Sequence, residues 1–372
     1  MRKFLKTVLF IILVGYSVIY VSGYGWFLEG VTKIYLSGHT TSYLSDYEVF
    51  ENNLIPKSTS PQPWPIHKDY NLRKSSKLLE NYHLKTKSVA FLIIKNDSLF
   101  YEKYFDNYNL DSKSNSFSMA KSFVSALLGK AIMDGYVESL DQPVYDFLPE
   151  LKGSYAKKVT MGDLSSMASG MDWQEDYYSP FSVTASAYFI DNLSELILNQ
   201  KIISKPGQSF EYLSGATQLL GMALIKATGK TLSRYLYESF WEPMGAEKDA
   251  FWQVDRGKNG VEKTFCCLAS NARDFARLGK LYKDFGRWNN KKLLDSTFIN
   301  KSIMPRFEES PNYGYSWWLQ KFNGDRVFRM QGHLGQYVFV YPQENLIVVR
   351  LGHLKGKDDI NIYLNEGINM TR

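Results

Sequence analysis

Residues 118–135 read SMAKSFVSALLGKAIMDG, in which a serine precedes an apolar segment with helical spacing. The apolar residues recur at intervals of three and four, as one face of an α-helix requires. Ser118 and Lys121 are three residues apart, so in a helix the amine can reach the hydroxyl. A serine hydroxyl is a poor nucleophile until a base removes its proton. The stretch therefore predicts a nucleophile beside its activating amine at a helix start, where backbone N–H groups stabilise negative charge.

The S-x-x-K spacing by itself has little specificity. It arises by chance about once or twice in a chain of this length, and Ser154 and Lys157 form a second copy. That copy lies in a polar linker with no apolar helix after it, and we interpret it as a chance match. For Ser118 taken alone, an N-cap serine followed by a surface lysine is an equal alternative.

A second motif, residues 206–214 (PGQSFEYLS), favours the catalytic interpretation of Ser118 over the structural one. A Pro-Gly turn and a short extended piece lead to Tyr212 and Ser214, and another apolar helix follows. Ser118 begins an S-x-x-K motif, and Tyr212 begins a motif of the form Y-x-N or Y-x-S. The glycines at 332–335 then stand where a Lys/His-Thr-Gly-like strand would follow. This order resembles that of the penicillin-recognising serine hydrolases: class C β-lactamases, D-alanyl-D-alanine carboxypeptidases and related esterases. The pattern is most similar to the 6-aminohexanoate-dimer hydrolase branch.

The resemblance covers roughly residues 85–355 and implies a role for each matched residue. Ser118 is the implied nucleophile, and its backbone N–H contributes to the oxyanion hole. Lys121 and Tyr212 are the implied proton-handling residues, and which of them is the first base stays open. Ser214 stands where β-lactamases and peptidases usually carry the asparagine that binds the substrate amide, and it is expected to contact substrate.

The third motif falls within residues 330–336 (MQGHLGQ), where two registers are possible. In the first register, residues 333–335 replace Lys-Thr-Gly, and the backbone N–H of Gln336 completes the oxyanion hole. This register places Gly335 and Gln336 against the substrate.

In the second register, residues 330–332 replace Lys-Thr-Gly and the backbone N–H of His333 is the oxyanion donor. The distance to the turn at Pro342 fits the family pattern better in this register, and we prefer it. Both registers lack the cation that holds a substrate carboxylate. The absence of this cationic residue argues against β-lactamase or carboxypeptidase activity.

Tyr177 ends the segment DWQEDY at residues 172–177, which is similar to the dimer-hydrolase branch. The resemblance implies that Tyr177 lines the cleft and contacts substrate. The alternative is a half-buried loop tyrosine without a function.

The distribution of patterns predicts an α+β fold. Strand-like segments lie near both ends of the globular part, at residues 88–94, 99–105, 327–330, 337–341 and 346–351. Helical patterns fill the middle, and a last helix is predicted over residues 358–368. The expected architecture is an antiparallel sheet built from both chain ends and flanked by helices. A mostly helical subdomain, at about residues 118–300, is inserted between the strands, as in β-lactamases and transpeptidases.

The N-terminus carries an export signal. Arg2, Lys3 and Lys6 precede an apolar run from Val8 to about Leu28, which is long enough to cross a bilayer as a helix. No small-residue cleavage site ends the run. Residues 1–28 are therefore predicted to be an uncleaved signal anchor, with a cleaved signal as the alternative. Either way the catalytic domain is expected outside the cytoplasm, on the periplasmic or extracellular face.

Proline-rich sequence follows this segment, so residues 29–84 are predicted to be a spacer and linker, and residues 85–372 the hydrolase domain. The net charge of +6 is spread over the chain, which argues against nucleic-acid binding. Five histidines and two cysteines lack metal-ligand spacing, so no metal or other cofactor is expected. The adjacent Cys266 and Cys267 are interpreted as two small buried residues, because a disulfide between neighbours is strained.

The predicted function is hydrolysis of a small ester, amide or peptide-like substrate through an acyl-enzyme on Ser118. The alternative is a slowly deacylating sensor that binds β-lactams or peptidoglycan.

Overall fold

The larger sheet joins the two ends of the globular part of the chain. A computed structural model describes residues 1–177, 179–257, 260–357 and 359–372. In this part of the chain the sheet order is β3-β2-β12-β11-β10-β9, with every neighbouring pair antiparallel. The strands are β2 (Ser88–Lys95), β3 (Ser98–Tyr104), β9 (Trp318–Phe322), β10 (Asp325–Gly332), β11 (Gln336–Tyr341) and β12 (Leu346–Gly352). The predicted α+β sheet from both chain ends is confirmed.

Strand β2 is apolar from Val89 to Ile94 because both faces of the sheet are covered. Successive side chains of a strand point to opposite faces. Leu92 and Ile94 belong to the main core, whereas Phe91 and Ile93 belong to a second core on the other face. The helix over residues 272–283 lies on the main-core face, and the helices over 77–86 and 361–371 contribute to the second core.

The helical part of the chain lies between β3 and β9. Its central helices are α4 and α8, which pack on each other and are buried on most of their surface. The helices are α1 (Arg2–Ile19), α2 (Gly25–Gly30), α3 (Lys77–Thr86), α4 (Ala120–Met133), α5 (Met161–Ser165), α6 (Val183–Phe189), α7 (Leu193–Leu198), α8 (Ser214–Thr228), α9 (Leu232–Leu236), α10 (Ala272–Lys283), α11 (Ser296–Ser302) and α12 (Asn361–Thr371). The predicted last helix corresponds to α12, and Asp358, where it was expected to begin, lies outside the described residues.

The predicted spacer at residues 29–84 does not stand apart from the hydrolase domain. Its strand β1 (Asn52–Ile55) pairs with β5 (Ala250–Gln253), which continues through β6 (Leu268–Ser270) to β4 (Ser114–Asn115) in a smaller sheet. Leu44, Ile55 and Trp64 from this segment are buried in the main core. These apolar residues are isolated between prolines and polar residues, so no periodic pattern indicated their burial.

A helical segment, Arg2–Tyr35, with a kink at Gly23, where φ is 84°, precedes this region and is apolar enough to cross a membrane. The most apolar 18 residues of this segment have a mean hydropathy of 2.2, and none of them is buried. Near the end of the segment, Gly30 and Ile34 are buried against the rest of the protein. The segment therefore has the properties of a membrane anchor or a signal sequence.

Candidate active site

Ser118 stands on a tight turn between β4 and α4. Phe117, just before it, has a φ of 47°, in the left-handed region that a bulky residue rarely adopts. The Phe117 N–H donates to Asn115 Oδ1 at 2.9 Å, and the Ser116 N–H donates to the Leu268 carbonyl at 2.8 Å. These bonds hold the turn in place and leave Ser118 half-buried at the start of the helical segment.

Lys121 is 1% exposed and directs its amine at the serine. Its Nζ donates to Phe265 O at 2.6 Å and Ser118 Oγ at 3.3 Å, and also to Ser214 Oγ at 3.2 Å. Burial lowers the pKa of Lys121 to about 8, with the negative charge of Glu175 opposing that shift. The amine is therefore neutral in about a tenth of the molecules at pH 7, and a neutral amine can accept a proton.

Tyr212 also lies close to Ser118. Its hydroxyl interacts with Ser118, and its ring centre is 5.2 Å from the Lys121 Nζ. The ring stacks on Trp318 at 5.8 Å and meets Tyr313 edge-on at 6.1 Å, which fixes its orientation. Burial raises the pKa of Tyr212, so the phenol keeps its proton near neutral pH.

Glu175 is a further residue of the site that the sequence did not single out. Its Oε2 accepts from Trp173 Nε1 at 2.8 Å and from the Ser214 N–H at 2.7 Å. Its Oε1 accepts from Ser214 Oγ at 2.6 Å and from the Tyr177 hydroxyl. The carboxylate is thus fixed by donors from two segments that come together near Ser118.

Ser214 connects this carboxylate to the lysine. Its Oγ accepts from Lys121 and donates to Glu175, so both hydrogen-bonding directions of the hydroxyl are used within the protein. Ser214 does line the cleft, but a substrate amide would have to compete for a hydroxyl that already has its partners.

The end of β10 lies directly beside the turn that carries Ser118. A Cβ added at Gly332 would lie 2.2 Å from the Ser116 carbonyl oxygen, so the two backbones are in close contact there. His333 follows and lines the cleft, with its ring edge-on to Phe117 at 5.6 Å. This geometry favours the second register, in which residues 330–332 form the third motif.

Gly335 and Gln336, expected to contact substrate in the first register, are outside the described lining of the cleft. The Gln336 amide nitrogen donates to the carbonyls of His333 and Gly352, and its Oε1 accepts from the Gly352 N–H. Gly335, with a φ of 85°, packs against Arg350, which donates to its carbonyl at 2.7 Å. Both residues stabilise the turn between β10 and β11 because their polar groups face the protein interior.

Tyr177 covers the mouth of the cleft. Its ring stacks on His333 with centres 6.1 Å apart, and 54% of the residue is exposed. Because its hydroxyl donates to Glu175, the oxygen keeps a lone pair available for a hydrogen bond from a ligand.

Cys266 and Cys267 are buried as expected, but they form a disulfide, which corrects the interpretation of two unpaired residues. Cys267 adopts a φ of 76°, and this left-handed backbone lets neighbouring side chains point to the same side. The pair follows Phe265, whose carbonyl accepts from Lys121.

The cleft in front of Ser118 has a volume of about 210 Å³. Its described lining includes Phe117, Tyr177, Phe265 and His333, and it carries no lysine or arginine side chain. Among the described residues, no group of three or more histidine, cysteine, aspartate or glutamate side chains could hold a metal ion.

The beta-lactamase family model matches residues 77–368, which include every residue of the site described above. The chain belongs to the beta-lactamase family. It is 22% identical to the 6-aminohexanoate-dimer hydrolase of Paenarthrobacter ureafaciens over 302 residues, covering 73% of this chain and 74% of that protein.

Solved structures show the same fold. A putative 6-aminohexanoate-dimer hydrolase from Bacillus anthracis has a TM-score of 0.75 at 23% identity, covering 88% of this chain and 92% of that chain. A family VIII carboxylesterase has a TM-score of 0.61 at 16% identity, covering 77% and 94%. This beta-lactamase-family protein is a serine hydrolase that acts on ester or amide bonds.

Proposed function

We propose that Ser118 is the nucleophile and that hydrolysis proceeds through an acyl-enzyme on its Oγ. The observation that carries this proposal is that the Ser118 hydroxyl lies close to two proton-handling groups, one buried and one partly buried. One is the Lys121 amine at 3.3 Å, and the other is the Tyr212 hydroxyl. A nucleophile within reach of a base that is itself held by further groups is the arrangement that acyl transfer requires.

Lys121 is the first base in this mechanism, and Tyr212 is the acid. The lowered pKa of Lys121 favours the neutral amine, which takes the Ser118 proton, whereas the raised pKa of Tyr212 favours the phenol. Tyr212 donates its proton to the leaving group, and the protonated Lys121 restores it. A water molecule then attacks the acyl-enzyme, with its proton taken by the same pair.

The oxyanion is bound by the backbone N–H groups of Ser118 and His333. The close contact between Gly332 and Ser116 supports this assignment, because it fixes the end of β10 beside the nucleophile. Two fixed N–H donors at the developing oxyanion stabilise the tetrahedral intermediate.

Tyr177 and Ser214 are the proposed substrate contacts, since both line the cleft. The described lining has no lysine or arginine to pair with a carboxylate. This supports a small ester, amide or peptide-like substrate that has no carboxylate to be bound in the cleft. It argues against the carboxylate-bearing substrates of β-lactamases.

The N-terminal helix is proposed to be an uncleaved signal anchor that holds the catalytic domain outside the cytoplasm. The basic residues Arg2, Lys3 and Lys6 before the apolar run support this orientation. Tyr24, Trp26 and Phe27 at its other end have the composition of a membrane–water interface.

A fluorophosphonate probe tests the nucleophile directly. We expect one label per chain, at Ser118, and no label on Ser118→Ala. Ser154→Ala is the matched control, because Ser154 belongs to the second S-x-x-K copy, and it is expected to label fully. Undiminished labelling of the Ser118→Ala variant, or a label on Ser154, would contradict the proposal.

A further inference from the structure

The cleft that contains Ser118 extends to the end of the N-terminal helix. Trp26, Phe27, Val31 and Ile34 form one wall of the cavity that Ser118 also lines. None of these four side chains carries a charge. The nucleophile and the end of the candidate anchor therefore share one apolar cleft.

The position of that wall along the helix places it at the membrane surface. About 20 helical residues span the hydrocarbon core of a bilayer, so a helix that enters near Leu5 leaves near Tyr24. The side chains of α1 are not buried by the protein, whereas contacts with the catalytic domain begin at Tyr24, whose ring meets Phe181 edge-on at 6.3 Å. Trp26 and Phe27 lie just beyond the exit point, at the depth where aromatic residues are enriched.

The helix end is packed on the catalytic domain. The rings of Phe27 and Phe181 stack with centres 5.1 Å apart. Gly30 lies against Phe189, where an added Cβ would come within 3.1 Å of the ring. The Lys33 ammonium lies 4.2 Å from the centre of the Phe50 ring. These contacts hold the mouth of the cleft close to the plane in which the helix leaves the bilayer.

We propose that the substrate is a membrane-resident amphiphile, an ester whose long alkyl chain lies along the wall formed by Trp26, Phe27, Val31 and Ile34 while its carbonyl reaches Ser118. This inference rests on the proposed function. Ser118 Oγ bonds to the carbonyl carbon, the ester C–O bond breaks, and the leaving alcohol takes a proton from Tyr212. Water then releases the carboxylic acid and restores Ser118.

The chain-length preference of the full-length protein in phosphatidylcholine vesicles tests the alkyl site. With p-nitrophenyl acetate, butyrate, octanoate and decanoate, we expect kcat/KM to rise by up to about fourfold for each methylene that the wall buries. Ser118→Ala should remove all of this activity. Acetate hydrolysed as efficiently as decanoate, with both reactions dependent on Ser118, would overturn the inference and leave the proposed function intact. Loss of Ser118 dependence would overturn both.

Val31→Asn tests the wall itself, because it places a polar group there. We expect the decanoate-to-acetate ratio of kcat/KM to fall by about tenfold or more. Leu36→Asn is the matched control, since Leu36 is 77% exposed and outside the described lining. Its ratio should be unchanged. Fluorophosphonate labelling confirms that each variant is folded, and an unchanged ratio in a labelled Val31→Asn variant would contradict the proposed wall.

A mixing experiment tests delivery from the membrane and does not depend on any variant. A two-chain fluorogenic glycerolipid ester, which exchanges slowly between vesicles, is placed either in the vesicles that carry the protein or in separate vesicles. We expect hydrolysis at least tenfold faster in the shared vesicles. Equal rates would show that substrate arrives through water, and would overturn the membrane route.

Discussion

Burial acts in opposite directions on the two proton-handling residues that contact Ser118. An apolar environment disfavours the charged form of any group, so it lowers the pKa of the Lys121 ammonium and raises the pKa of the Tyr212 phenol. The amine becomes a better base near neutral pH, and the phenol remains a proton donor. In the proposed mechanism, the same environment thus gives the two residues different roles.

Glu175 tunes this balance, and Glu175→Gln tests its effect. If the neutral Lys121 is the base, kcat/KM for a non-ionising ester rises as the pH increases through about 8. The Glu175 charge favours the ammonium and so raises the pKa of Lys121. Its removal should move the rising limb of the pH profile to lower pH.

Glu211→Gln is the matched control for this measurement. Glu211 precedes Tyr212 in the chain but is exposed, so its charge is screened by solvent. The rising limb should remain in place for this variant. A limb that moves to higher pH in Glu175→Gln, or equally in both variants, would remove Glu175 from the tuning of the base.

Tyr177→Phe separates amide from ester hydrolysis. The Tyr177 oxygen can accept a hydrogen bond from the N–H of a scissile amide, whereas an ester has no proton there. We expect the loss of this bond to cost amide hydrolysis about 1–3 kcal/mol, or roughly 5- to 150-fold in kcat/KM. Ester hydrolysis should change much less. Equal losses on a matched ester and amide pair would show that Tyr177 only shapes the cleft.

The residues of the site differ in how far the sequence could predict them. The contact between Ser118 and Lys121 follows from their spacing within one turn, and Tyr212 was found through its motif. Glu175 was missed because a glutamate in the segment DWQEDY has the pattern of a solvated loop. Its contacts depend on Ser214, which is distant in sequence, and local pattern carries no information about such a pairing.

At the level of elements, the site depends on the fit between β10 and the nucleophile turn. Gly332→Ala tests this fit, because the added Cβ would lie 2.2 Å from the Ser116 carbonyl and one of the two backbones must move. Overpacking of this kind typically costs about 1–3 kcal/mol. We expect a lower Tm and a loss of kcat/KM of about tenfold or more, since the proposed oxyanion donor His333 moves with the strand.

Arg326→Ala is the control on the same strand, because the Arg326 side chain is exposed and far along β10 from the turn. It should retain nearly all activity and stability. A Gly332→Ala protein with unchanged kcat/KM would show that β10 does not contribute to the oxyanion hole.

Elements with strong periodicity were predicted well, whereas β1 was not. The strands β2, β11 and β12 are mostly apolar, and α4 and α8 have apolar residues at helical spacing. In β1, only Ile55 is buried, and the strand exists because β5 offers it a pairing edge. Such pairing is a property of the tertiary structure, so residues 29–84 read as a spacer.

At the scale of the whole molecule, the proposed N-terminal anchor sets the location of the protein at the membrane. We expect the full chain to require detergent for extraction and its mature N-terminus to retain residues 1–23. A truncated chain that starts at residue 30 should be recovered without detergent. N-terminal sequencing of the full-length product that begins after about residue 23 would show a cleaved signal and remove the anchor.

The placement of β12 between β2 and β11 has a consequence for biosynthesis. Strand β2 pairs with β12, with Lys95 opposite Leu346. Roughly 250 residues must therefore be synthesised after Lys95 before this pairing can form. At a synthesis rate of about 5–20 residues per second, the apolar edge of the β2–β3 hairpin stays unpaired for roughly 10 to 50 seconds. An unpaired edge of this kind is a site of aggregation. We therefore expect the nascent chain to be prone to aggregation until its last strand emerges, and a premature stop codon before Leu346 yields a chain without the strand that joins β2 to β11.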